Sequence, residues 1–186
     1  MRERSPLPIL DALPALIVVD LQAGTLSNPT VHPVDTIVAR SAELADAFRC
    51  RSLPVVLAYV VGSPAGRTDY GGGARHYPPG FSAPAVELGE RPGDIVAARS
   101  AWSAFAGTDL DATLKKLGVT QVVLAGVATS FGIESTARAA YDLGYSVVVV
   151  TDAVTDLSVE SHVNSIKRVF PVLGQTVSTA DVVAAF

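Results

Sequence analysis

Residues 119–144 read VTQVVLAGVATSFGIESTARAAYDLG, a pattern that predicts a strand, a tight turn and a helix. Residues 122–125 form a short apolar run, typical of a strand buried on both faces of a parallel sheet. Gly126 permits a sharp turn, and apolar residues then recur at helical spacing as far as Gly144, a stop signal. Such a turn points backbone N–H groups and a helix N-terminus into one crevice. We therefore expect a ligand site where this strand ends.

Strand and helix patterns alternate along the rest of the chain. The strand patterns cover residues 15–20, 54–61, 94–98, 122–125, 145–151 and 175–178. Helical patterns begin near Val34 and Thr108 and cover roughly 158–170, whereas 62–93 is a long irregular loop rich in Gly and Pro. This alternation predicts one domain over residues 1–186, a three-layer αβα fold with a six-stranded, mostly parallel sheet.

The handedness of crossover connections places the C-terminal ends of all parallel strands at one edge of the sheet. The residues expected there are Asp20, the chain after Val60, Arg99, the 126–132 turn and Asp152. This edge is where open α/β sheets bind ligands.

Composition and charge exclude several classes of protein. About half of the residues are apolar (49%), yet no apolar run reaches the length that spans a bilayer. The formal charge of −4 and the scattered Lys and Arg argue against nucleic acid as a partner. The first residues lack the apolar segment of a signal peptide, so a cytoplasmic location is expected. The apolar surplus and the 62–93 loop predict a homo-oligomer, either a dimer or a tetramer.

Metal and cofactor sites are not predicted. His32, His76 and His162 are isolated, and Cys50 is the only cysteine, which excludes a thiolate metal cluster.

Six short motifs occur in an order that resembles the isochorismatase-like hydrolase superfamily. They are VVDLQ at 18–22, SAFAGTDL at 103–110, GVAT at 126–129, ESTAR at 134–138, GY at 144–145 and DA at 152–153. The resemblance covers residues from about 14 to 180. It implies a six-stranded parallel sheet, an oligomeric protein, a small-molecule substrate and often a cis peptide after the fourth strand, here Val127–Ala128.

The resemblance also assigns three catalytic positions, and the chain departs from the common pattern at two of them. Most of these hydrolases use an Asp, a Lys and a Cys, and the matching positions are Asp20, Arg99 and Gly132. Without a thiol at Gly132 no thioester can form, and Cys50 belongs to a different helix. Isochorismatases proper, which hydrolyse a vinyl ether, are similar in having Gly at this position and an Asp as proton donor, but they retain the Lys.

Other groups near the turn are candidates for substrate contact. We expect Trp102, Val127, Ala128 and Phe131 to line the pocket. The hydroxyls of Thr129 and Ser130 have no His nearby in sequence and are expected to cap the following helix. In the 62–93 loop, Arg67, Arg75 and His76 are candidates for ligand contact, although we expect this loop to be solvated.

Three hypotheses for the function follow. The first is a cysteine-independent hydrolase in which Asp20 is the general acid or base. The second is a non-catalytic member that binds a small molecule or serves in assembly, and the third is an amidase with Ser130 as nucleophile. If Arg99 reaches Asp20, we expect its charge to lower the pKa of Asp20 more than burial raises it, which would make Asp20 a poor acid at neutral pH.

Overall fold

A six-stranded sheet forms the centre of the structure, a computed structural model that describes residues 9–186. The strands of the described chain are β1 (Pro14–Val19), β2 (Val55–Val60), β3 (Gly62–Ser63), β4 (Arg67–Thr68), β5 (Gly71–Gly72), β6 (Arg75–His76), β7 (Ile95–Arg99), β8 (Gln121–Val127), β9 (Ser146–Thr155) and β10 (Gln175–Val177). The order across the sheet is β10-β9-β8-β1-β2-β7, and every neighbouring pair is parallel. The predicted sheet is therefore confirmed, and it is parallel throughout.

Helices cover both faces of the sheet, which confirms the three-layer αβα architecture. They are α1 (Ala23–Leu26), α2 (Val34–Arg49), α3 (Leu110–Lys116), α4 (Glu134–Asp142), α5 (Val159–Asn164), α6 (Phe170–Leu173) and α7 (Thr179–Ala184). One apolar core contains residues of α2 and α7, including the fully buried Phe48. The other contains residues of α3, α4 and α6, including the fully buried Phe170. Among the described residues, no helix has the length and apolar character needed to span a bilayer.

Strand β9 is longer than the sequence predicts, and this moves one site residue. Pairing with β8 jumps from Leu124–Val149 to Gly126–Val154, so the extra residues of β9 form an irregularity within the strand. The strand consequently ends at Thr155 rather than near Thr151. Asp152, expected beyond the strand, instead accepts hydrogen bonds from the N–H and hydroxyl of Thr179 at 2.7 and 2.9 Å.

Two other segments differ from their predicted form. The helix predicted over 158–170 is divided into α5, a π-helical segment (Ser165–Val169) and α6, in which Pro171 has no N–H to donate. The 62–93 segment is not wholly irregular, because β3 pairs with β6 and β4 with β5 in antiparallel ribbons.

Candidate active site

Asp20 follows β1 directly and lies at the edge where the strands end. Its backbone has a φ of 53°, in the left-handed region that Asp tolerates better than most residues. The N–H of Asp20 donates to the carbonyl of Ala58 on β2 (2.8 Å), and the hydroxyl of Thr25 donates to the carbonyl of Asp20. These bonds hold the backbone of Asp20 in place. The residue is only 8% exposed.

Arg99 is the last residue of β7, two strands away from β1, and its side chain reaches Asp20. One terminal nitrogen (Nη1) lies 2.8 Å from Oδ1 of Asp20, and the other (Nη2) lies 2.9 Å from Oδ2. Nη2 and Nε also donate to the carbonyl of Trp102, at 2.9 and 3.3 Å. The side chain of Arg99 is fully buried, and its two hydrogen bonds hold the Asp20 carboxyl group in one orientation.

The direction of the pKa of Asp20 differs from the sequence expectation. Burial raises the pKa of the Asp20 carboxyl above its usual range, and the hydrogen bonds and charge of Arg99 offset this only in part. The expectation that Arg99 would prevail is therefore wrong, because loss of solvent around Asp20 is the larger effect. The protonated carboxyl is accordingly more accessible than it would be on the surface.

Gly132 adjoins Asp20 closely. A Cβ atom at this position would lie 3.2 Å from Oδ2 of Asp20 and 2.9 Å from Cγ1 of Val19. The position that carries a thiol in most of the resembling hydrolases is thus next to the carboxyl group. In this chain the surrounding atoms leave almost no room for a side chain there.

A cavity of about 180 Å³ opens in front of Asp20. Its lining residues are Asp20, Thr25, Asn28, Thr30, Val60, Tyr77, Ala101, Trp102, Val127, Ala128, Phe131, Gly132, Asp156 and Leu157. The cavity therefore brings together all the candidate site residues except Arg99, which contacts Asp20 but does not line the cavity. The peptide between Val127 and Ala128 is cis, and the rings of Trp102 and Phe131 meet edge to face with centroids 5.0 Å apart.

Sequence reasoning missed Asp156, which contacts the turn. This residue follows β9 and is only 1% exposed. Its carboxylate accepts from the backbone N–H groups of Ser130 (2.6 Å), Leu157 (2.7 Å) and Ser158 (3.2 Å). The irregularity in β9 places Asp156, rather than Asp152, beside the cavity. The signal in the sequence was the Asp-x-Ser pair, because Ser158 caps α5 and so marks where the strand has ended.

Reasoning from sequence also missed the contribution of two loops to the cavity. Thr25, Asn28 and Thr30 come from the segment between β1 and α2, and Tyr77 comes from the long loop. Arg67, which lies in the same loop, is exposed and does not line the cavity.

The hydroxyl groups after the cis peptide do not cap α4, contrary to expectation. Thr129 is fully buried, and its Oγ1 lies 2.9 Å from Nδ1 of His162 on α5. Burial and the neighbouring His32 lower the pKa of His162, while Asp156 acts in the opposite direction. Ser130 lines a separate, open hollow formed largely by α5. A hydroxyl–imidazole pair is thus present, but Thr129 does not line the cavity.

The imidazole rings of His32 and His162 form a poor metal site. The rings of His32 and His162 lie with centroids 4.9 Å apart, and Nδ1 of His162 is occupied by Thr129. Over residues 9–186, no three His, Cys, Asp or Glu side chains converge in a group that could hold a metal ion.

Comparison with known proteins gives consistent matches over nearly the whole chain. A family model described as the isochorismatase domain matches residues 14–181. The isochorismatase family protein YecD of Escherichia coli O157:H7 is 35% identical over an alignment of 184 residues that covers 92% of this chain and 95% of YecD.

Solved structures agree with these sequence matches. An isochorismatase family protein from Burkholderia thailandensis superposes with a TM-score of 0.91 and 41% identity, covering 97% of this chain and 98% of the other. N-carbamoylsarcosine amidase from Thermoplasma acidophilum superposes with a TM-score of 0.75 and 28% identity, covering 89% and 95%.

Proposed function

We propose that this chain, which belongs to the isochorismatase family, hydrolyses a small molecule with Asp20 as general acid and without a nucleophilic side chain. The observation that carries the proposal is the Asp20 carboxyl group, which borders an open cavity and whose pKa is raised by burial. A general acid must hold its proton near the working pH, and a raised carboxyl pKa serves this purpose.

A vinyl ether suits this set of groups. Transfer of a proton from Asp20 to the terminal alkene carbon would give an oxocarbenium ion, and water would add to its carbon. The resulting hemiacetal or hemiketal then separates into a carbonyl compound and an alcohol. The Asp20 carboxylate formed in the first step would stabilise the cation and receive a proton from the attacking water. No step needs a covalent bond to the protein.

Each neighbouring group has a defined part in this scheme. Arg99 keeps the carboxyl group in one orientation through its paired hydrogen bonds. The aromatic rings of Trp102 and Phe131 form an apolar wall against which a flat substrate would pack. Gly132 leaves the space in front of Asp20 free of a side chain.

Covalent catalysis by a thiol is unsupported in this chain. Cys50 lies immediately after α2, at the end of the helix that leads into the start of β2. Parallel strands start at the edge opposite the cavity, so this thiol cannot reach a substrate beside Asp20. The amidase named among the similar structures therefore supports a hydrolase of this fold rather than an amidase mechanism for this chain.

A non-catalytic binding role is the second candidate, and the paired hydrogen bonds of Arg99 favour it. Both carboxylate oxygens of Asp20 accept from the guanidinium, so protonation of either oxygen must weaken one of these bonds. A site kept for binding alone would retain this ion pair and show no turnover.

Turnover in deuterated water tests the proposal and separates the two candidates. The protein is incubated with a panel of small vinyl ethers and a panel of small amides, and products are followed by NMR. We expect vinyl ether hydrolysis with one deuterium at the carbon that was protonated, because the acid proton exchanges with solvent before transfer. Hydrolysis of amides alone, or of neither panel, would overturn the proposal.

A further inference from the structure

The charges that border the cavity are already occupied by other groups of the protein. The guanidinium of Arg99 donates to both oxygens of Asp20 and to the carbonyl of Trp102, and it does not line the cavity. A ligand carboxylate would have to displace Asp20 to reach it. The cation nearest to the reaction centre is thus unavailable to an anionic ligand.

Besides Asp20, the lining contains one more ionisable acidic residue, Asp156. Asp156 presents a buried carboxylate that accepts hydrogen bonds from three backbone N–H groups. Together with Asp20 it places two carboxyl groups on the walls of a cavity of about 180 Å³. Asp20 is paired with Arg99 and serves as a proton donor, so the carboxylate that an entering anion meets is that of Asp156. Such an anion would lose its hydration and face this like charge at short range.

Other cations of residues 9–186 lie elsewhere on the surface. Lys167 and Arg168 line the open hollow beside α5 rather than the cavity. Arg67 and Arg75 belong to exposed ribbons of the long loop and contribute nothing to the lining. Among residues 9–186, no Lys or Arg lines the cavity, so no cation there balances a carboxylate or phosphate.

Two neutral polar side chains of the lining, Asn28 and Thr30, can accept hydrogen bonds from a ligand. Asn28 uses one N–H of its Nδ2 on the carbonyl of Thr25 (3.1 Å), and its Oδ1 can accept from a ligand. Thr30 donates its hydroxyl proton to the carbonyl of His32 (2.7 Å) and keeps an acceptor lone pair. These groups suit a ligand that carries O–H or N–H donors.

The cavity is also small. Its volume of about 180 Å³ lies below the roughly 300–1,000 Å³ of sites for drug-sized ligands. Trp102, Phe131 and Tyr77 supply flat apolar surface on its walls.

We propose that this cavity selects small uncharged molecules that carry hydroxyl or amide N–H groups and rejects carboxylates of the same size. This inference rests on the proposed function for the location of the site, and it adds the chemical class of the substrate. The specificity-determining groups are Asp156, which repels anions, and Asn28 and Thr30, which accept from donors.

Matched ligand pairs test the inference by binding, without reliance on turnover. The probes are 2-ethoxyethanol against ethoxyacetate, which lack the reactive alkene, and benzamide against benzoate. Each is titrated into the wild-type chain and followed by ligand-observed NMR at constant ionic strength. We expect the uncharged member of each pair to bind at least about tenfold more tightly. Equal or tighter binding of the anions would overturn the inference, as would binding of none of the four probes at millimolar concentration.

A charge introduced into the lining provides a second test with a matched control. Asn28→Lys adds a cation at an exposed position that lines the cavity, and Ser27→Lys adds the same charge at an exposed position that does not. We expect Asn28→Lys to tighten ethoxyacetate binding about tenfold and Ser27→Lys to leave it unchanged. The same response in both variants would overturn the inference. Charge-selective binding without turnover would support it while contradicting the hydrolase proposal, so the two failures are distinguishable.

Discussion

Arg99 holds Asp20 with two nearly equal hydrogen bonds, 2.8 Å from Nη1 to Oδ1 and 2.9 Å from Nη2 to Oδ2. The side chain of Arg99 is fully buried and that of Asp20 is 11% exposed, so the pair is largely removed from water. A guanidinium remains protonated and cannot exchange protons as a Lys can. The pair therefore orients the acid, and proton transfer is left to Asp20.

Removal of Arg99 should destabilise the fold more than removal of a surface arginine. Arg99→Met leaves a buried carboxyl group without its partner, for which we expect a loss of about 3–5 kcal/mol in the free energy of unfolding. Arg40→Met is the control, because Arg40 pairs with Glu43 at the surface and should contribute less than about 1 kcal/mol. Urea denaturation measures both losses.

A double variant checks that the loss arises from the pair itself. Asp20→Asn keeps a residue that tolerates the left-handed backbone, and in combination with Arg99→Met it should cost less than the sum of the single changes. Additive losses, or equal losses for Arg99→Met and Arg40→Met, would show that the pair does not stabilise the fold.

The pH dependence follows from the raised pKa of Asp20. Because the native carboxyl binds its proton more tightly than the unfolded one, the contribution of this group to stability falls as pH rises through its native pKa. As a general acid, Asp20 should also give a kcat/KM that falls over the same range. Profiles of unfolding free energy and of kcat/KM from about pH 4 to pH 8 check both trends.

The comparison for these profiles is Asp20→Asn, which has no titrating group at this position. The difference in stability between wild type and variant should change with pH in favour of the variant as pH rises. A wild-type kcat/KM that instead increases with pH through this range would indicate a base rather than an acid.

Sequence patterns predicted the sheet and the position of Asp20 because both depend on local signals. Short apolar runs and glycine turns define the strands, and the alternation with helices makes their C-terminal ends coincide at one edge. The position of Asp156 beside the cavity was not predicted, because it depends on an irregularity in β9 that no local sequence pattern reveals. The direction of the Asp20 pKa was also misjudged, since the extent of burial is a property of the packed structure.

Gly132 should resist substitution although it lies in a helical segment. In Gly132→Ala the new methyl group would come so close to Val19 and Asp20 that their side chains would have to move. We expect a loss of about 1–3 kcal/mol in the free energy of unfolding, typical of an overpacked core. Gly93→Ala is the control, because its added Cβ meets nothing within 4 Å, and it should remain within about 0.5 kcal/mol of wild type. Equal unfolding midpoints for the two variants would contradict the close packing around Asp20.

Self-association remains a prediction, and exposed apolar side chains motivate it. Trp102, Phe131, Leu157 and Val159 are 61%, 41%, 57% and 64% exposed, and the first three line the cavity. Exposed apolar groups near one another commonly mark an interaction surface. Sedimentation velocity at micromolar concentration should give a dimer or tetramer of the 19.3 kDa chain. A monomer under these conditions would contradict the prediction.

The role of Asp20 as general acid is tested most directly by the kcat/KM of Asp20→Asn beside wild type on the vinyl ether that the wild type hydrolyses fastest. Asparagine preserves the shape of the side chain but cannot supply the proton, so we predict a decrease of about 10²- to 10⁴-fold. Binding of an unreactive ligand to both proteins confirms that the cavity is intact. Equal rates in the two proteins would remove Asp20 from the mechanism and contradict the account.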